Sequence, residues 1–93
     1  MFYSQNDLEK IGFKSLGENV LISDKASIYG AENIEIGSNV RIDDFCIISA
    51  GAGGIKIGNY IHIACYAHLI GSGEIVLEDH SQVSAKVSIF SVS

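Results

Sequence analysis

Ile36-Gly37-Ser38-Asn39-Val40-Arg41-Ile42-Asp43-Asp44-Phe45-Cys46-Ile47 reads as two six-residue units, each opened by isoleucine and each with a small or aliphatic fifth residue. The pattern returns one period earlier as Leu16-Gly17-Glu18-Asn19-Val20-Leu21, and again from Ile57 and from Leu77. The openers Leu16, Ile36, Ile57 and Leu77 stand 20, 21 and 20 residues apart. Within each period the aliphatics fall six apart: Leu16, Ile22, Ile28, then Ile36, Ile42, Ile48, then Ile57, Ile63, Leu69, then Leu77, Val83, Ile89. A period this short, divided in sixes, predicts a solenoid in which each repeat is one turn of backbone.

Each unit alternates inward apolar and outward polar positions for a few residues and then meets Gly, Asn, Asp or Ser, which bend the chain. Three such strands close a triangular turn. The third side is longer and ends in glycine-rich corners, Ala50-Gly51-Ala52-Gly53-Gly54 and Gly71-Ser72-Gly73. Equivalent residues stack into columns: Ile22, Ile42, Ile63 and Val83; Ala26, Cys46, Ala67 and Val87; Ile34, Ile55 and Ile75. The chain has no proline, as suits strands that donate hydrogen bonds to neighbours on both sides. The fold class expected is all-β, a parallel β-solenoid of about four coils over residues 16–93.

Residues 1–15 stand outside the repeat and form a capping segment. Leu8 and Ile11 are three apart, Ser4 or Asn6 can cap the N-terminus, Asp7 suits the positive end of the helix dipole, and Gly12 stops the helix. A short helix over about residues 5–11 follows, packed on the first coil through Leu8, Ile11 and Phe13. It would cover a sheet edge that otherwise templates aggregation.

The formal net charge of −5, with six Lys+Arg scattered along the chain, argues against a nucleic-acid phosphate backbone as partner. No apolar run approaches the ~20 residues that a membrane span requires, and the N-terminus lacks a signal-peptide pattern. Two cysteines without framework spacing fit a reducing cytoplasm, the expected location.

The hexapeptide units resemble the left-handed parallel β-helix of hexapeptide-repeat acyltransferases. Ile36 to Ile47 is similar to the sugar O-acetyltransferases of bacterial polysaccharide assembly, and Asp7-Leu8-Glu9-Lys10-Ile11-Gly12-Phe13 is similar to their N-terminal helix. The left hand of the coil is implied by this resemblance, against the usual handedness of crossovers. The resemblance further implies a trimer with active sites between neighbouring prisms, acetyl-CoA as co-substrate along later coils, and a histidine as general base on a sugar or small hydroxylated acceptor. Relatives continue beyond Val92-Ser93 into further coils, so the chain reads as a shortened acyltransferase domain. The alternative reading is a non-catalytic oligomeric scaffold that has lost the donor site.

An O-acetyl transfer needs a base near neutrality, and histidine supplies it. His68 and His62 are the catalytic candidates. Both end their units and point outward, and His68 precedes the Gly71-Ser72-Gly73 corner, whose amides could serve as an oxyanion hole. His80 aligns with Asn19, Asn39 and Tyr60. Asp43 and Asp44 beside Arg41 read as solvated corner residues. Cys46 falls on an inward column. Cys65 lies three residues from both His62 and His68, but strand and corner directions splay the trio, so no metal is expected. Phe45 over Tyr66 forms an outward aromatic stack, which with Tyr29, Ile47 and Tyr60 suggests a side-to-side homotrimer. The apolar last side, Ile89 to Ser93, suggests that two trimers meet end to end as a hexamer.

Overall fold

The computed structural model describes residues 1–92. The first coil comprises β1 (Ser15–Leu16), β2 (Val20–Ile22) and β3 (Ser27–Tyr29). The second comprises β4 (Ile34–Ile36), β5 (Val40–Ile42) and β6 (Ile47–Ala50). The third comprises β7 (Ile55–Ile57), β8 (Ile61–Ile63) and β9 (His68–Gly71), and the fourth β10 (Ile75–Leu77), β11 (Gln82–Val83) and β12 (Ser88–Ser91). Every third strand joins the same parallel sheet, giving three four-stranded faces in the orders β1-β4-β7-β10, β2-β5-β8-β11 and β3-β6-β9-β12. The register is the one the sixes dictate: Ile22↔Ile42↔Ile63↔Val83, Ile34↔Ile55↔Ile75 and Ile48↔Leu69↔Ile89.

Inside the prism, Ile22, Ile42, Ile48, Ile63 and Leu69 are fully buried, each covered by the equivalent aliphatic of the next coil. Column members at the two ends of the stack depart from this, Leu16 and Ile89 among them. Ile28 is half-buried, because β3 is the outermost strand of its sheet and has no coil beyond it. Val87 is 39 % exposed at the other end of its column for the corresponding reason. Phe90 and Val92 of the last side are exposed, and Ser93 lies outside the described residues.

Outside the prism, the unit's second and third residues explain themselves through stacking. A Cβ on Gly37 would fall 2.5 Å from the Gly58 carbonyl oxygen, and one on Gly17 would fall 2.5 Å from Gly37. The third residues form a side-chain ladder along the axis. Asn59 Oδ1 accepts from the Ser38 N–H at 2.7 Å, and Asp79 Oδ1 accepts from the Asn59 N–H at 2.8 Å. These bonds satisfy corner amides that strand pairing leaves free.

The helix α1 (Gln5–Ile11) matches the expected span. Ser4 Oγ accepts from the Asp7 N–H at 3.1 Å, and Gly12 ends the helix in the left-handed region at φ 91°. Leu8 is its buried anchor. The first three residues contribute as well: Phe2 bridges antiparallel to Ser23, Tyr3 N–H donates to Ile22 O at 2.9 Å, and Asp24 N–H donates to Met1 O at 2.8 Å. This strap thus pairs with the outer edge of β2, the last strand of its sheet. No helix among the described residues is long and apolar enough to cross a membrane.

Candidate functional site

Two corner columns and one flat face carry the polar chemistry. On the second face, outward residues Leu21, Arg41, His62 and Gln82 align in successive coils. His62 Nε2 lies 2.7 Å from Asp43 Oδ2, and Arg41 Nε donates to Asp43 Oδ1 at 2.8 Å. Burial pushes the Asp43 carboxyl upward, but the hydrogen bonds from Arg41 and His62 and their positive charge outweigh it, leaving its pKa below the ordinary value. The Arg41 guanidinium also lies 5.4 Å from the Phe2 ring centroid, so the N-terminal strap borders this cluster. Asp44, adjacent in sequence, points elsewhere and accepts from the buried Ser23 hydroxyl. The two aspartates are therefore not idle corner residues; each has its own partner.

His68 opens β9 on the third face, between Ile47 and Ser88. It lines an open groove of about 540 Å³ together with Tyr66, Lys86 and Ser88. The intervening corner separates His62 from His68, so the structure does not unite the two candidate bases. The Gly71-Ser72-Gly73 corner is largely spent on stacking: Gly71 is in register with Ser91, and the Gly73 N–H points to the Ser91 carbonyl at 3.5 Å. His80 stacks on Tyr60, centroids 5.1 Å apart and rings 6° from parallel.

Cys46 is buried, its Sγ 3.0 Å from the Ala64 carbonyl, and burial pushes its thiol pKa up. Cys65 is half-exposed and free. No group of three or more His, Cys, Asp or Glu among the described residues is arranged to hold a metal ion.

The sequence is 57 % identical over 90 residues to a dTDP-4-amino-4,6-dideoxy-D-glucose acyltransferase from Escherichia coli, covering 97 % of this chain and 47 % of the relative. The structure superposes on a variant of AntD, an N-acyltransferase from Bacillus cereus, in complex with dTDP and coenzyme A. That match has a TM-score of 0.90 at 50 % identity, over 96 % of this chain and 46 % of that one. The chain belongs to the hexapeptide-repeat acyltransferases. A second AntD structure, in complex with dTDP and 3-hydroxybutyryl-CoA, matches with a TM-score of 0.81 at 55 % identity, covering 87 % and 42 % of the two chains. No family model matches the sequence. The chain spans about half the length of the curated acyltransferase it matches. Within that span, the shared coil accounts for the Gly and Asn corner residues. The Asp43–His62–Arg41 cluster and the Tyr66–Lys86 groove are outward features that coil architecture alone does not demand.

Proposed function

We propose that this chain is part of an enzyme that transfers an acyl group from acyl-CoA to the amine of a nucleotide-linked amino sugar. The observation that carries the proposal is the 57 % identity, across almost the whole chain, to an acyltransferase named for a dTDP-4-amino sugar. The acceptor thus moves from the hydroxyl expected of the sequence to an amine. Hexapeptide units encode the coil and not the acceptor, so the sequence pattern did not distinguish the two. The donor broadens likewise from acetyl-CoA to acyl-CoA, given the 3-hydroxybutyryl-CoA bound by AntD.

In such a reaction the amine lone pair attacks the thioester carbonyl, the C–N bond forms and the C–S bond breaks. The amine proton passes to a base, and CoA leaves as its thiol. His62 is the base this reading favours. Asp43 on Nε2 fixes the tautomer, so that Nδ1 presents the lone pair. His68 becomes a ligand-facing residue of the groove. The left hand of the coil, a side-to-side trimer and a cytoplasmic location complete the reading. They are supported by family membership, by the exposed Tyr29 and Phe45 on the prism's outside, and by two free cysteines.

Thiol release tests the function. Protein mixed with dTDP-4-amino-4,6-dideoxyglucose and acyl-CoA is expected to liberate CoA thiol only when the amino sugar is present. Absence of amine-dependent thiol at millimolar substrates would overturn the reading.

A further inference from the structure

The corner between the second and third faces holds one side chain per coil: Lys25, Phe45, Tyr66 and Lys86. Phe45 and Tyr66 stack with centroids 5.1 Å apart and rings 25° from parallel, and the Lys25 ammonium lies over the Phe45 ring at 5.8 Å. Phe45, Tyr66 and Lys86 all adopt left-handed backbone, with φ of 63°, 62° and 65°. A large side chain at such a position is disfavoured relative to Gly or Asn. The other corner column meets the same backbone requirement with Asn19, Asn39, Tyr60 and His80, the last two stacked as well. The column between the second and third faces differs in placing lysines on both sides of its aromatic pair, Lys25 before it and Lys86 after it.

Beside this column, Tyr66, Lys86, His68 and Ser88 line the groove of about 540 Å³, a size suited to a small molecule. Among the described residues no carboxylate lines it. The contrast with the rest of the surface is sharp for a chain of net charge −5. A groove of about 620 Å³ on the first face surrounds Lys56 with Glu35, Glu78 and Asp79, and one of about 270 Å³ near the N-terminus contains Asp43 and Asp44. The three carboxylates of the first-face groove repel a phosphate, and in the N-terminal groove the Arg41 guanidinium is already paired with Asp43, whereas the corner groove offers an ammonium, an aromatic face and two hydrogen-bonding side chains.

We propose that this groove binds the nucleoside diphosphate portion of the substrate, with the base against the Tyr66 ring and a phosphate on Lys86. The inference rests on the acyl-transfer reading above and says where that reading's nucleotide would sit. Base–aromatic stacking accepts any base, so His68 and Ser88 are left to select among them through hydrogen bonds. The phosphate contact makes affinity fall with added salt.

The test is calorimetric titration of the protein with dTDP, with thymidine and inorganic pyrophosphate titrated separately. Wild type is compared with Tyr66→Asn and Lys86→Asn, substitutions that keep a residue tolerant of left-handed backbone. A Glu35→Gln variant controls for the first-face groove. We expect dTDP to bind wild type and Glu35→Gln alike, and at least about tenfold more weakly to Tyr66→Asn and Lys86→Asn. Thymidine should lose affinity with Tyr66→Asn only, and pyrophosphate with Lys86→Asn only. Should either variant misfold, protection of Lys86 in the wild-type protein from amine acylation by dTDP, read by peptide mass spectrometry, gives the same answer. Equal dTDP affinity in all variants, or no protection of Lys86, overturns the groove assignment while amine-dependent thiol release stays intact. A change in sedimentation with Tyr66→Asn and none in dTDP affinity also overturns it, assigning the face to a second copy of the chain. No dTDP binding at millimolar concentration overturns the groove assignment and the acyl-transfer reading together.

Discussion

His62 and Asp43 come from neighbouring coils, on either side of the inward pair Ile63 and Ile42, and their side chains meet at 2.7 Å on the outer face. The Arg41 guanidinium holds the other carboxylate oxygen at 2.8 Å. A carboxylate gripped from both sides gives the imidazole a fixed tautomer and direction, which a lone surface histidine lacks.

That geometry sets an activity prediction. His62→Gln should lower amine-dependent thiol release by about 10²- to 10⁴-fold, with little change in melting temperature. Asp43→Asn should lower the rate less, since it disturbs only the orientation of the imidazole. Comparable rates for wild type and His62→Gln would remove His62 from the mechanism.

The same carboxylate makes a pH prediction. The Asp43 pKa is lowered in the fold, so its pairing stabilises at pH above the unfolded value of about 4 and is lost as pH falls through the lower folded value. The partners are half-exposed, with side-chain exposures of 55 % for Arg41 and 47 % for His62, so the contribution is at most about 1 kcal/mol. Thermal melts of wild type and Asp43→Asn should differ slightly at neutral pH and converge below the folded pKa. A gap that widens on acidification would contradict the pairing.

The repeat disclosed the coil because an inward isoleucine every six residues has no other economical explanation. Ile42 and Ile63 could thus be placed in one buried column, and Ser4, Asp7 and Gly12 gave the helix its ends. The Asp43–His62 pair was not visible in the same way. It is a diagonal contact between coils, and Asp43 and Asp44 share the composition of an ordinary solvated corner. Only stacking shows that one reaches Arg41 and His62 while the other reaches Ser23. The half-buried Ile28 and the exposed Val87 were missed because a periodic pattern is blind to the ends of the stack.

Core packing gives a stability prediction. Ile42 and Ile63 are fully buried, and either residue changed to alanine should cost about 2–5 kcal/mol in chemical denaturation. A loss below about 1 kcal/mol would mean that the coil collapses around the cavity more readily than a close-packed prism permits.

Glycine positions separate two physical effects. Gly37→Ala places a Cβ 2.5 Å from the Gly58 carbonyl oxygen and should cost about 1–3 kcal/mol or more through forced separation of coils. Gly12→Ala meets nothing within 4 Å but sits at φ 91°, so it should cost about 1 kcal/mol through backbone strain alone. Equal losses, or a larger one at Gly12, would contradict the stacking account.

Thiol accessibility checks the placement of the two cysteines. Alkylation of the native protein should modify Cys65 and leave Cys46 untouched, since burial both shields the Cys46 thiol and pushes its pKa up. In denaturant both should react. Native modification of Cys46 would show that its column does not face inward.

The central claim is that the acyl group goes to a sugar amine, and the chemical stability of the product decides it. The protein is incubated with dTDP-4-amino-4,6-dideoxyglucose and acyl-CoA, and the product is followed by mass spectrometry before and after treatment with neutral hydroxylamine. The account predicts a mass gain of one acyl group that survives hydroxylamine, as an amide does. A product that reverts to the starting mass is an ester on a hydroxyl, and it would contradict the claim.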